Sequence, residues 1–192
     1  MFVNIKMEDF SSIFRKYGCD KDDSHGNPRG RHSYSQFYDE KLKQMRHEKI
    51  RFLEIGLEEG RSMLSFNEYF THPDTRLFFC DINDDSLAKC KIEIEKNNLS
   101  RVTVFHHNQI EPLTNEFDME YDIIVDDASH IPEYTLKTFE LLKNNYKTYY
   151  IVEDATDQTI DLFKNHDCEI IRFPMGGNFH QTPMDNTILL FS

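Results

Sequence analysis

Apolar and polar positions along the chain follow two periods. Residues 8–17 (EDFSSIFRKY) place Phe10, Ile13, Phe14 and Tyr17 on one face of a 3.6-residue repeat and predict a helix. A polar loop follows over 18–32 (GCDKDDSHGNPRGRH), and 33–47 predict a second helix, capped by Ser33 or Ser35. A strand–helix rhythm then takes over. Strands are predicted at 49–55 (KIRFLEI), 76–82 (RLFFCDI), 101–107 (RVTVFHH), 121–127 (YDIIVDD), 146–154 (YKTYYIVED), 168–174 (CEIIRFP) and 186–192 (NTILLFS). Helices fall at 61–70, 84–97, 132–144 and 156–166. Asp84 and Asp85 open the second of these as the helix dipole favours, and Pro132 suits the first position of the third.

This alternation implies a mostly parallel sheet with helices on both faces. Only a short loop with Gly176, Gly177 and Pro183 separates the last two strands, so these are expected to pair antiparallel. That loop, through Asn178 to Pro183, reads equally as a cover over a ligand or as a plain turn. One domain is expected over 1–192, with an N-terminal helical segment (1–47) ahead of a Rossmann-like core (48–192). The aromatic pairs Phe78-Phe79 and Tyr149-Tyr150 read as core strand positions.

Composition narrows the class. Of 192 residues, 39% are apolar and 29% charged, with 16 Phe and 9 Tyr to fill a core, as in soluble globular proteins. No apolar run is long enough to span a membrane, and the start, MFVNIKMEDF, lacks the pattern of a secretory signal. Cys19, Cys80, Cys90 and Cys168 are scattered, which fits a reducing, cytoplasmic setting. A net charge of −12 argues against nucleic acid as a partner.

The acids carry the chemistry. Ligands of an open parallel sheet sit beyond the carboxyl ends of its strands. Four such ends bear acids here: Glu54, Asp81, the pair Asp126-Asp127, and the pair Glu153-Asp154. Any one of them could be a helix cap, as Asp154 could be for the helix near 156. Four acidic edges on one crevice call for positive charge among them, because packed carboxylates repel. The first turn, EIGLEEGRS (54–62), has Gly56 and Gly60 but carries Glu58 where a pyrophosphate would approach, which disfavours a dinucleotide. S-adenosylmethionine suits it better, since that donor has no phosphate and carries a sulfonium and an ammonium. Asp81 then stands where an acid grips ribose hydroxyls. The fourth and fifth strands are expected to be neighbours at about 4.8 Å. Asp127 and the Glu153-Asp154 pair would then converge on a hard ion, Mg2+ or Mn2+.

DDASH (126–130) and VED (152–154) resemble the D-D-G-S-H and I-E-D motifs of metal-dependent sugar O-methyltransferases, a group that includes the macrolide-sugar and rhamnosyl enzymes. EIGLEEGRS resembles the glycine loop of that family, CDKDDSHGNPRGRHSYSQFYDEKL (19–42) its upstream segment, and Asn108-Gln109 its short motif after the third strand. Ala128 stands where the family carries glycine, a small change provided the backbone there is not left-handed. The resemblance implies a Rossmann-like class I methyltransferase fold, with seven strands and an antiparallel last one. It implies a metal held by Asp127, Glu153 and Asp154, and His130 as general base. It places the methyl donor against Glu54, Gly56, Gly60, Asp81, Gln109 and Asp126, with His32 and Tyr34 from the upstream segment.

The expected reaction is methyl transfer to a sugar hydroxyl, of a deoxyhexose or rhamnose-like glycan or glycoside. Metal acidifies the hydroxyl and His130 takes its proton. The bland alternative for His130 is a hydrogen bond at the start of the helix near 132. His106 and His107 read as solvated strand-end residues, with metal ligation the alternative. Rival functions are a metal-dependent hydrolase, a catechol-type O-methyltransferase and a non-catalytic binding module. No membrane partner is expected, and self-association is left open.

Overall fold

A computed structural model describes residues 8–22, 32–115, 117–173 and 186–192. Two helices, α1 (Phe10–Tyr17) and α2 (Ser35–Leu42), precede the alternating section. There follow β1 (Arg51–Ile55), α3 (Arg61–Tyr69), β2 (Arg76–Asp81), α4 (Asp84–Asn97) and β3 (Val102–His106). The second half runs β4 (Tyr121–Asp126), α5 (Pro132–Leu142), β5 (Tyr146–Val152), α6 (Asp157–Phe163), β6 (Glu169–Arg172) and β7 (Thr187–Phe191). The sheet order is β3-β2-β1-β4-β5-β7-β6. Pairing is parallel from β3 through β5, and β7 runs antiparallel to both β5 and β6, as expected of the last two strands.

Side-chain parity divides the core in two. Successive strand residues point to opposite faces. Phe52, Leu77, Phe79, Ile123, Val125 and Ile151 thus pack under α1 to α4. Leu53, Ile55, Cys80, Ile124, Tyr150 and Val152 pack under α5 and α6. Phe79 and Tyr150 are fully buried, and Phe78 and Tyr149 pack against the core, as their strand positions predict. Among the described residues no helix is long and apolar enough to cross a membrane.

The helices before the sheet are part of this core. Phe10 stacks on Tyr69 of α3 at 3.6 Å between ring centroids, with Tyr38 at 5.5 Å and Phe66 at 5.6 Å. Asp9 caps α1 by accepting from Ser12 N–H, and Asp39 of α2 accepts from Phe10 N–H. Gly18 ends α1 in the left-handed conformation.

Several boundaries differ from the sequence pattern, and α6, β5 and β6 all end earlier than predicted. The cap of α2 is neither serine: Tyr34 stands there with no side-chain hydrogen bond, and Ser33 is drawn into an isolated bridge with Asp22. The same helix stops at Leu42, giving way to turns over 43–48. Thr156, not Asp154, caps α6, its hydroxyl accepting from Thr159 N–H, which leaves Asp154 for other work. Residues 25–31 and the loop with Gly176, Gly177 and Pro183 lie outside the described residues.

Phe10→Ala removes a side chain with no exposed surface. We expect it to lower stability by about 3–5 kcal/mol in urea denaturation. A loss below about 1 kcal/mol would mean that α1 is not integral to the core.

Candidate functional site

Strands β1 and β4 are neighbours at the centre, and the chain leaves them in opposite directions across the sheet. Such a switch point opens a crevice at the strands' carboxyl ends. Here it is a cavity of about 1130 Å3, lined by segments that follow β1, β2, β3, β4 and β5 and by Lys21 and His32 from the upstream segment. Gly56 makes the crevice possible. Its φ is +98°, and a Cβ there would meet the Asp127 carbonyl oxygen at 2.0 Å. Glu58, at the place a second glycine would hold, keeps a left-handed backbone with φ of 45°.

Strand parity sorts the acids. Glu54 pairs with Val125, and Asp126 pairs with both Ile55 and Val152. Glu54, Asp127 and Glu153 therefore project to the face covered by α1 to α3, and Asp126 to the opposite one. The first three meet a lysine. Lys21 Nζ lies 2.5 Å from Asp127 Oδ2, 2.5 Å from Glu153 Oε2 and 3.4 Å from Glu54 Oε1. Burial alone would pull the Lys21 pKa down, but Asp127, Glu153 and Glu54 outweigh it and hold it well above the ordinary range. The Tyr38 hydroxyl donates to Glu153 Oε1, so both oxygens of that carboxylate are engaged beneath the cavity floor. Ser62 Oγ donates to Glu54 Oε2 at 2.7 Å.

On the cavity side of Asp127 a second group assembles. His130 Nε2 stands 3.8 Å from Asp127 Oδ1 and 3.9 Å from Asp154 Oδ2. Ligand atoms of Asp127, His130 and Asp154 all lie within 4.8 Å of one another, a spacing able to hold a metal ion. Both His130 and Asp154 have left-handed backbones, with φ of 54° and 53°. Non-glycine residues adopt this at some cost, of order 1–3 kcal/mol each, and such strain clusters at functional sites. His130 does not cap α5: Ile131 holds that position and Ser129 Oγ accepts from its N–H at 3.4 Å. Ala128 is not among the left-handed residues.

The remaining expected site residues divide between wall and support. Asp81 Oδ2 accepts from Leu57 N–H at 2.8 Å and Glu58 N–H at 3.3 Å, and Oδ1 from Asn83 N–H at 2.8 Å. These bonds tie the loops after β1 and β2 together and aim the carboxylate into the cavity. Gln109 spans Thr138 Oγ1 at 3.1 Å and Ser129 N–H at 3.1 Å, so it braces the DDASH turn from below. Tyr34 donates to Asp154 Oδ1 at 2.5 Å and His32 Nδ1 lies 3.3 Å from the same oxygen. Asp126 is buried against Tyr150, and Gly60 begins α3 against Cys90. Glu54, Gly60, Tyr34, Asp126 and Glu153 are absent from the cavity lining; Gly56, Asp81, Gln109, His32, Asp127, His130 and Asp154 belong to it. His106 is exposed as expected, whereas His107 is buried, and burial lowers its pKa.

Sequence reasoning gave Lys21 and Tyr38 no role, although both fall within the upstream segment (19–42) that resembles the family's. Lys21 sits in an acid-rich run, Asp20 to Asp23, that reads as solvated loop. The excess of strand-end acids announced a cation without saying which residue supplies it.

No protein-family model matches the chain. Over 135 residues it is 29% identical to demethylmacrocin O-methyltransferase of Streptomyces fradiae, covering 64% of this chain and 32% of that protein. Over 137 residues it is 27% identical to L-olivosyl-oleandolide 3-O-methyltransferase of Streptomyces antibioticus, covering 66% and 33%. The chain is a distant homologue of macrolide-sugar O-methyltransferases. It spans about a third of the length of these curated relatives. Among solved structures it resembles the MycE methyltransferase of the mycinamycin biosynthetic pathway, in complex with Mg, SAH and mycinamycin VI. There the TM-score is 0.59 and the identity 23%, over 78% of this chain and 40% of that one. A SAM-dependent O-methyltransferase from Thermotoga maritima matches with a TM-score of 0.59 and 15% identity, over 81% and 62%. The fold is that of the class I methyltransferases.

Burial, with Lys21 opposing it, raises the Glu54 pKa to about 7; burial raises Asp126 to about 7; burial and then Asp127 raise Asp154 to about 7. Unfolded, such groups release their protons near pH 4. Between about pH 4 and pH 7 the folded state thus binds more protons, and stability falls as pH rises. In EDTA we expect a decrease on the order of 2–4 kcal/mol from pH 5 to pH 7.5 by urea unfolding. A flat or rising profile would refute this.

Proposed function

We propose that the chain acts as an S-adenosylmethionine-dependent O-methyltransferase, assisted by Mg2+ or Mn2+, with a sugar hydroxyl as acceptor. The observation that carries this reading is the meeting of Asp127, His130 and Asp154 at the floor of the crevice of a methyltransferase fold. The names of the two curated relatives, one of them a sugar 3-O-methyltransferase, and the Mg in the MycE complex support it. A deoxyhexose on a small-molecule glycoside is the acceptor class this favours.

The residues fit a hard divalent ion. Asp127 and Asp154 offer carboxylate oxygens, and among the described residues the acids of the centre outnumber the ammonium buried with them and no cysteine lines the cavity. Asp127 and Asp154 would hold the ion at the cavity floor; Glu153, the third ligand that the resemblance implies, lies just behind them, and in this structure its two oxygens are taken by Lys21 and Tyr38. Bound there, a divalent ion lowers the pKa of an acceptor hydroxyl. His130 serves as the base: its side chain is exposed and lines the cavity, and the two flanking carboxylates stabilise the imidazolium that forms. S-adenosylmethionine held in the crevice would supply the methyl group, its C–S bond breaking as the C–O bond to the acceptor forms. Asp81, fixed by three backbone N–H groups, takes the ribose hydroxyls, and Gly56 lets the donor lie close to the chain. Gln109, His32 and Tyr34 act by holding the DDASH turn and Asp154.

The direct test is transfer of labelled methyl to a panel of nucleotide sugars and deoxyhexose glycosides. His130→Ala is expected to lower kcat by about 10²–10⁴ while donor affinity, read by titration, stays within about twofold. Near-wild-type turnover would remove His130 from the mechanism. Excess EDTA is expected to abolish transfer, with recovery on adding Mg2+ or Mn2+. Full activity in EDTA would overturn the metal assignment.

A further inference from the structure

The crevice is acidic, yet the donor read for it carries a carboxylate of its own. Among the described residues the lining has six acids, Asp20, Glu58, Glu59, Asp81, Asp127 and Asp154, and two side chains of permanent positive charge, Lys21 and Arg61. Lys21 is engaged by Glu54, Asp127 and Glu153. Arg61 is placed differently. It is the first residue of α3, and its guanidinium lies against Gly18 at the cavity wall, where a Cβ on that glycine would stand 3.2 Å from Nη1. Its Nε donates to Glu59 Oε2 at 2.9 Å and its Nη1 to the Tyr17 carbonyl at 2.7 Å. Those two bonds fix the guanidinium and use two of its five N–H groups; Nη2 donates to nothing among the described residues. A second observation points the same way. Gly60 begins α3 without a side-chain cap, so the first-turn N–H groups lack the acceptor that a serine or aspartate would supply. A helix start and a guanidinium thus present positive potential together, at the end of the crevice beside α1.

We propose that Arg61 takes the α-carboxylate of the methyl donor and makes the crevice selective for a donor that keeps this group. The sulfonium and ammonium of S-adenosylmethionine suit a wall of acids, whereas its carboxylate is repelled by them and needs a fixed cation. Arg61 supplies one, as a charge-assisted pair through Nη2, with the open first turn of α3 behind it. Asp81 then holds the ribose end of the donor and Arg61 the amino-acid end, so the molecule is held at both ends. The bond to the Tyr17 carbonyl also ties this contact to α1, which brings the N-terminal helices into donor binding as well as into the acid centre. The inference deepens the donor reading given above and rests on it.

The test is calorimetric titration of the full chain and of Arg61→Gln with two probes. One is S-adenosylhomocysteine; the other is S-adenosyl-3-thiopropylamine, the same molecule without its carboxyl group. Arg61→Gln is expected to weaken S-adenosylhomocysteine by about 10–100-fold and to leave the carboxyl-free probe unweakened. Equal losses for both probes would mean that Arg61 only holds α1 to α3, and would overturn the proposal; no loss for either overturns it too. In both of those cases the wild type still binds S-adenosylhomocysteine, so the donor reading stands. A wild type that binds neither probe sinks the donor reading and this assignment with it. Should Arg61→Gln not fold, Arg61→Lys replaces it, since lysine keeps the charge and loses the fork that matches a carboxylate. A loss confined to the carboxyl-bearing probe again supports the proposal, and an equal or absent loss overturns it.

Discussion

Mutual repulsion of carboxylates is the constraint on which this structure turns. A parallel sheet brings its strand ends together, and here those ends carry Glu54, Asp127, Glu153 and Asp154 within one small region. Removed from water, such groups either take up protons or find positive charge. The chain answers with one internal ammonium, from Lys21, and a single ammonium is too little for four acids. The raised pKa values of Glu54 and Asp154 express the remainder. The same imbalance makes the centre receptive to a cation.

Backbone geometry decides where that imbalance lies. Because neighbouring strand residues face opposite sides, Asp126 and Asp127 are adjacent in sequence and separate in space. Asp126 goes under α5 with Tyr150, and Asp127 goes to Lys21. Past the end of β5, Glu153 turns inward to Lys21 and Tyr38, and the left-handed turn at Asp154 brings its carboxylate up beside His130. Gly56 allows the loop after β1 to lie against the loop after β4, closing the floor of the cavity. The site is thus a product of sheet register plus three unusual backbone positions.

The helices before the sheet contribute more than packing. Lys21 follows directly on α1, whose aromatic face is locked to α3 by Phe10 and Phe14, and Tyr34 and Tyr38 come from the start of α2. All three reach the acids from above. What looks like an appendage in the sequence is the second half of the centre, and the two curated relatives align with this chain over only a third of their own lengths. Distant homology gives the fold and a class of chemistry.

Much was legible in the residues themselves. Periodicity gave every strand and helix of the sheet region, because burial imposes a period of two on strands and one near 3.6 on helices, and the shortness of the loop before the last strand gave the antiparallel final pair. The acids at strand ends marked the crevice, since the position of a strand's carboxyl end follows from chain direction alone. The cap at Tyr34 was misread, because Ser33 was taken by a distant bridge; of the two readings open for Asp154 the helix cap falls away, because Thr156 fills that place. Only the tertiary structure could show that Lys21 enters the acid cluster, that Glu153 turns inward and Asp154 outward, and that Gln109 supports a turn. Those outcomes depend on contacts between residues up to 132 positions apart, for which local sequence carries no signal.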